Sequence, residues 1–284
     1  MFINMPTNIS FFAKMPFRVG PDRHLARVSS MIRAEQIATY IGAKLNPETG
    51  YKNDVCIYVK PHVKPGNDFL FEGKPYLDIC DSPDLYILAK MHPEVPVISA
   101  SDWNYKTLKR LLPNKIINIP EQHCNFERVR RNRKEITTVG VIGTIHAFKY
   151  LPEGLRDWLA ERRMELIEFS KFSTRKDVVN FYLGIDVQII WRPYFDYRKD
   201  ILMNPLKIVN SSSFGIPTIT YDEKAFEEMD GCYIPVHTLY EFLYQLDNLR
   251  SSPSFYAGYS ERCLKKSEEY HIDKIAKLYK NLAL

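Results

Sequence analysis

The sequence predicts an α/β protein built as two halves, each a mostly parallel sheet covered by helices. Three observations lead there. The chain has 284 residues, enough for two domains of roughly 130 to 150 residues each. Short apolar runs alternate with amphipathic stretches along its length, the pattern of βαβ units. One strongly basic stretch with almost no apolar content interrupts that alternation near the middle. Hydrophobic residues make up 45% and charged residues 26% of the chain, a globular mix that excludes a disordered, collagen-like or coiled-coil protein.

In the first half, Ile-Ser-Phe-Phe-Ala at 9–13 reads as a buried strand. A loop with Pro16, Gly20 and Pro21 follows, carrying Arg18, Asp22, Arg23 and His24. Residues 30–45 read as a helix, because Met31, Ile32, Ile37, Ala38, Ile41 and Leu45 share one stripe and Asn46-Pro47 stops it. Val-Cys-Ile-Tyr-Val at 55–59 is a second apolar run, and further strands are expected at 76–79, 95–99 and 115–119, with a helix over 105–112. In the second half, strands are expected at 138–142, 166–169, 186–191 and 218–220. Helices are expected over 155–163, 175–183, 205–214 and 238–249, and a long terminal helix or helix pair over 256–282. The chain thus divides into a first domain of residues 1–128, a linker of 129–136 and a second domain of 137–284.

A net charge of +5 is weak evidence for nucleic acid. Residues 126–135 hold five basic residues in ten and read as a solvated linker rather than a nucleic-acid patch. Five scattered cysteines, with neither C-x-x-C nor zinc spacing, point to reduced thiols, a cytoplasmic protein and no metal site. Residues 1–17 lack the basic-then-apolar pattern of a secretory leader, and no apolar run reaches 18 residues.

Residues 204–220 carry the most chemistry. Asn204 suits a helix N-cap and Pro205 the first helical position, while Gly215 and Pro217 end the helix before a strand. That helix N-terminus should face the carboxyl edge of the sheet, where unpaired N–H groups and the dipole attract anions. Lys207 sits in the first turn, where the dipole disfavours a cation. Either it meets a bound anion such as a diphosphate or it reaches into water. Asn210, one turn on, either binds a ribose or sugar hydroxyl or satisfies backbone.

Lys207-x-x-Asn210-x-x-x-x-Gly215-x-Pro217-x-Ile219 resembles the donor-site signature of GT-B glycosyltransferases, the glycosyltransferase group 1 superfamily, where Lys-x-x-Glu precedes small residues and Gly-x-Pro. Val139-Gly140-Val141-Ile142-Gly143-Thr144 is similar to the first strand and Gly-rich turn of their donor domain, and 173–190 to the helix–strand unit before the donor loop. Residues 263–279 resemble terminal helices that cross back to the first domain, and the Arg33-Ala34…Ile37-Ala38 stretch resembles the acceptor-domain opening. The chain departs from the pattern in lacking two glutamates eight residues apart, with Leu202 and Asn210 at those positions, and it is short for this fold.

The resemblance implies two Rossmann-like domains facing each other across a cleft, with a nucleotide-sugar on the second and an acceptor on the first. It implies that Lys207 and the helix behind Asn204 stabilise a diphosphate leaving group. Gly143 and Thr144 are candidates to bind phosphate through their backbone, and Lys149 matches a phosphate-contacting lysine. Arg192 is either a diphosphate partner or a loop cap. Asp222 and Glu223 either hold sugar hydroxyls, as the resemblance implies, or are solvated loop acids. Asp22 and His24 are candidate bases toward the acceptor, with Asp102 a second. His123 either lines the cleft or bridges the halves. No metal or cofactor is expected; the donor is a UDP- or GDP-sugar and the acceptor a glycan or glycolipid, with modified DNA a less favoured acceptor. The expected activity is sugar transfer, the alternatives being a nucleotide-sugar epimerase on the same scaffold and a degenerate sugar-nucleotide-binding module.

Overall fold

The structure, a computed structural model, describes residues 8–20, 24–64, 67–131, 135–193 and 203–284, without the side chains of His24, Ile145 and His146. The strands of the first half are β1 (Ile9–Ala13), β2 (Phe17–Val19), β3 (His24–Ala26), β4 (Lys44–Leu45), β5 (Val55–Val59), β6 (Lys74–Asp78), β7 (Val97–Ser99) and β8 (Ile116–Asn118). Six of them form one parallel sheet in the order β4-β1-β5-β6-β7-β8, and β2 and β3 pair as an antiparallel hairpin. Every residue of β5 is buried, as expected of a central parallel strand covered on both faces.

The second half holds β9 (Thr138–Ile142), β10 (Glu165–Phe169), β11 (Val187–Ile190), β12 (Thr218–Tyr221) and β13 (Tyr233–Val236), a parallel sheet in the order β10-β9-β11-β12-β13. Its core joins Val139, Val187, Ile189 and Ile219 to Phe242 and Leu246 of the Leu239–Ser251 helix. The chain then returns: Pro253–Ser267 packs on the second half, and the Ile272–Asn281 helix puts Ile272, Ile275 and Tyr279 into the core of the first.

Two expectations need correction. The helix expected over 30–45 starts at Val28, is wound as a π-helix through Met31–Gln36 and ends at Ile41. Gly42 takes φ 70°, which releases the chain into β4, so Leu45 is a strand residue. The basic linker is also not simply solvated. Arg131 is buried and donates to Asp186 at 2.6 Å, and Asp186 also accepts from the Thr137 and Thr138 amides. Arg128 forks onto Glu268 and reaches Asp273. Arg131 thus ties the joint between the halves to the second sheet, and Arg128 ties it to the returning helices. Residues 132–134 lie outside the described part.

Candidate active site

Carboxyl ends of the strands of both sheets border a cleft. From the second half come the turn after β9, with Gly143 and Thr144, Arg192 after β11, and the first turn of the Leu206–Ser213 helix. From the first half come Val28 and Ile32 of the opening helix and Asp81 after β6. Two adjoining pockets of about 380 and 430 Å³ share Val28, Asp81, Thr144, Arg192 and Lys207. The first extends over Cys124, Phe172, Val178 and Tyr182, an apolar shelf; the second extends toward Arg27, Lys60 and Glu121.

Lys207 is the centre of this geometry. Its backbone carbonyl accepts from Gln188 Nε2 at 3.3 Å and from the Tyr182 hydroxyl at 3.4 Å, so two buried side chains fix the helix start. Its ammonium lies against Gly143: a Cβ there would stand 3.1 Å from Lys207 Nζ and 2.7 Å from the Ala147 Cβ, and Gly143 has φ 151°. A glycine is therefore required both by conformation and by the close approach of the lysine. Burial lowers the Lys207 ammonium to about 7, with the Arg192 guanidinium adding to the fall and Glu223 opposing it. Among the described residues, no carboxylate or other acceptor pairs with that ammonium.

The other predicted residues divide. Gly143, Thr144, Arg192, Asn204 and Asn210 all line the cleft. Asn204 acts one residue earlier than expected: the helix begins at Leu206, with Pro205 as its flanking residue, and Asn204 Oδ1 accepts from the Leu206 amide at 3.1 Å. Asn210 Oδ1 accepts from the buried Cys124 amide at 2.7 Å, which docks the chain between the halves onto the Leu206–Ser213 helix. Arg192 forks onto both oxygens of Glu223 at 2.8 and 2.7 Å, so this pair is neutral as it stands, and Glu223 is engaged by arginine rather than open to a sugar. Asp222 is exposed and lines neither pocket. Lys149 is exposed past the Ile145–Phe148 helix, its Nζ 5.4 Å from the ring centre of Tyr150, and lines neither pocket.

Asp102 opens the Asp102–Leu111 helix away from both pockets. It accepts from Asn118 Nδ2 at 2.6 Å, and its amide donates to Glu228 across the joint. His123 is buried against His271, ring centres 5.2 Å apart, and its amide donates to the Tyr270 carbonyl; it bridges the halves and lines neither pocket. Burial, then His271 and Arg128, lower His123 to about 3, so its ring is neutral. Asp22, and the side chain of His24, lie outside the described residues, as does Leu202.

Residues that the sequence did not single out complete the walls: Arg27, Lys60, Asp81 and Glu121. Arg27 and Lys60 have φ 60° and 47°, a left-handed backbone unfavourable for side chains beyond glycine, and this strain gathers on the first-half wall. Arg27 donates to the Lys60 carbonyl, and Lys60 pairs with Asp81 at 2.5 Å.

Neither a protein-family model nor a curated protein sequence matches the chain. Solved structures do. HepE of Anabaena, in complex with UDP and glucose, superposes with a TM-score of 0.61 at 9% identity, covering 97% of this chain and 99% of that one. Sucrose-phosphate synthase from Thermosynechococcus elongatus has a TM-score of 0.55 at 11% identity over 94% of this chain and 82% of its own. WaaG, a glycosyltransferase involved in lipopolysaccharide biosynthesis, has a TM-score of 0.54 at 11% identity, covering 96% and 99%. The chain has the fold of the GT-B glycosyltransferases: two Rossmann-like α/β units facing each other across a cleft. Among the described residues, no helix is long and apolar enough to cross a membrane.

Proposed function

We propose that the protein is a glycosyltransferase that moves a sugar from a nucleoside diphosphate sugar to an acceptor hydroxyl. The observation that carries this reading is the Lys207 ammonium: half-buried, unpaired among the described residues, and set at a helix start beside a glycine turn on the wall of the cleft. An unpaired ammonium is costly to hold there unless an anion visits it. A diphosphate seated between the Gly143–Thr144 turn and Lys207 meets both the lysine and the helix dipole. The apolar shelf of Phe172, Val178 and Tyr182 offers room for the base.

When the bond from the anomeric carbon to the phosphate oxygen breaks, its electron pair stays on the diphosphate. Lys207 stands where that charge grows, which is the main catalytic term that these residues supply. The Arg192–Glu223 pair beside it holds the local field near neutral until the donor enters. HepE holds UDP and glucose, and UDP-glucose in another structure, which supports a UDP-sugar as donor here. A glycan or glycolipid acceptor is favoured over DNA, since Arg131 is neutralised inside the protein and Arg128 is paired with Glu268 and Asp273 at the surface.

The test is incubation with UDP-sugars while following free UDP. Transfer or slow hydrolysis releases UDP. Epimerisation consumes the nucleotide-sugar with none released, and a binding module shows UDP affinity without turnover; either result rejects the transferase reading.

A further inference from the structure

A cleft that transfers a sugar needs a group that reads the sugar, and the acids expected for that duty are turned away or occupied. Glu223 is forked by Arg192, and Asp222 is exposed outside both pockets. Asp81, on the opposite wall, is paired with Lys60 at 2.5 Å. Glu121 differs from all three. It follows β8, its amide donating to the Ala100 carbonyl, and lines the second pocket with Asn204, Leu206 and Lys207. It also lines a small void below, against Pro205 and Tyr270.

Glu121 is 6% exposed, and among the described residues no hydrogen bond or ion pair reaches its carboxyl. The carboxyl is poorly hydrated and has no partner among the described residues, so an occupant of the cleft is the natural source of its hydrogen bonds. A carboxylate only accepts, through two oxygens. It therefore suits neighbouring hydroxyls and repels phosphate. Lys207, on the same pocket wall, suits the phosphate. One pocket thus carries both a cation suited to phosphate and a carboxylate suited to hydroxyls.

Building on the glycosyl-transfer reading above, we propose that Glu121 is the sugar-reading carboxylate: it accepts hydrogen bonds from hydroxyls of the transferred sugar and selects which sugar is carried. Burial raises Glu121 to about 7, and Asp81 and Asp78 push the same way, while Arg33 and Lys60 oppose them. Hydroxyl donors that arrive with a ligand favour the charged carboxylate over the protonated form that burial promotes.

The experiment is calorimetric titration of the wild type, Glu121→Gln and Glu121→Ala with UDP, and then with UDP-glucose, UDP-galactose and UDP-N-acetylglucosamine. For the UDP-sugar that the wild type binds most tightly, Glu121→Ala should weaken binding about tenfold or more. UDP affinity should stay within about twofold, since the phosphate end is untouched. Thermal melts of the two variants without ligand should show no loss of stability, because a carboxyl without partners holds nothing together. Unchanged UDP-sugar affinity overturns the inference, as does an equal loss for UDP and UDP-sugar, which would make Glu121 a prop of the seat. If the wild type binds neither UDP nor a UDP-sugar, the glycosyl-transfer reading itself fails. If UDP binds and the variants leave the sugar term intact, this inference alone fails.

Discussion

Replacing Lys207 by methionine separates a ligand-binding role from a structural one. The side chain keeps an unbranched apolar stem and loses the terminal ammonium with its charge. In the free protein nothing among the described residues pairs with the ammonium, and burial already pulls it down to about 7. Removing it therefore costs no hydrogen bond or ion pair and relieves the desolvation of a cation, so the unliganded variant should melt at or above the wild-type temperature. Donor binding moves the other way. One charge-assisted bond to phosphate contributes about 1.5–3 kcal/mol, or roughly 10- to 150-fold in the Kd for UDP-glucose. Turnover should fall by a further factor, on the order of 10²–10³ in total, because the charge on the leaving oxygen grows in the transition state. The assay is a thermal melt with and without UDP-glucose, backed by calorimetry. A variant that melts several degrees lower without ligand, or that keeps its ligand-induced rise, refutes the reasoning.

The same lysine sets a pH dependence. Its ammonium is lost as pH rises through about 7, so UDP-glucose should bind more weakly from pH 7 to 9, by up to about tenfold per unit, with Lys207→Met flat across that range. The unliganded protein shows the opposite trend: over the interval from about 7 to the ordinary lysine value of 10.5 the unfolded chain holds the proton that the folded one has released, so stability rises with pH. Gly143→Ala should lower UDP affinity at least about tenfold and destabilise the fold by about 1–3 kcal/mol, since its Cβ meets Ala147 at 2.7 Å and Lys207 at 3.1 Å; calorimetry and urea melts read both. Asn210→Ala strips the Cys124 amide of its buried acceptor and should cost about 1–3 kcal/mol in a urea melt. Arg131→Met leaves Asp186 buried without its cation and should cost about 3–5 kcal/mol, whereas a solvated linker would give near zero.

Much of the site was legible because it is local. The Leu206–Ser213 helix, its Lys207 and the Gly215 stop sit within a dozen residues of one another, so capping and dipole arguments reach them. Gly215 even shows why it must be glycine: at φ 71° its Cβ would fall 2.3 Å from Ser260 Oγ of the helix packed against it. What could not be read is non-local. The Arg192–Glu223 fork joins residues 31 apart, and Glu121 becomes buried only when the end of the first sheet docks on Asn204–Leu206. A lone acid in a loop carries no spacing signal. Lys149 misled because distance along the chain from Gly143 says nothing of direction, and the Ile145–Phe148 turn points it outward. The β2–β3 hairpin was missed because three-residue strands fall below any periodicity test.

The most direct test is the structure of the protein with UDP bound. The diphosphate should lie between the Gly143–Thr144 turn and the Lys207 ammonium, within about 3 Å of Nζ, with the uracil over Phe172 and Val178. A nucleotide seated elsewhere, or phosphates that leave Lys207 without a contact, would contradict that placement.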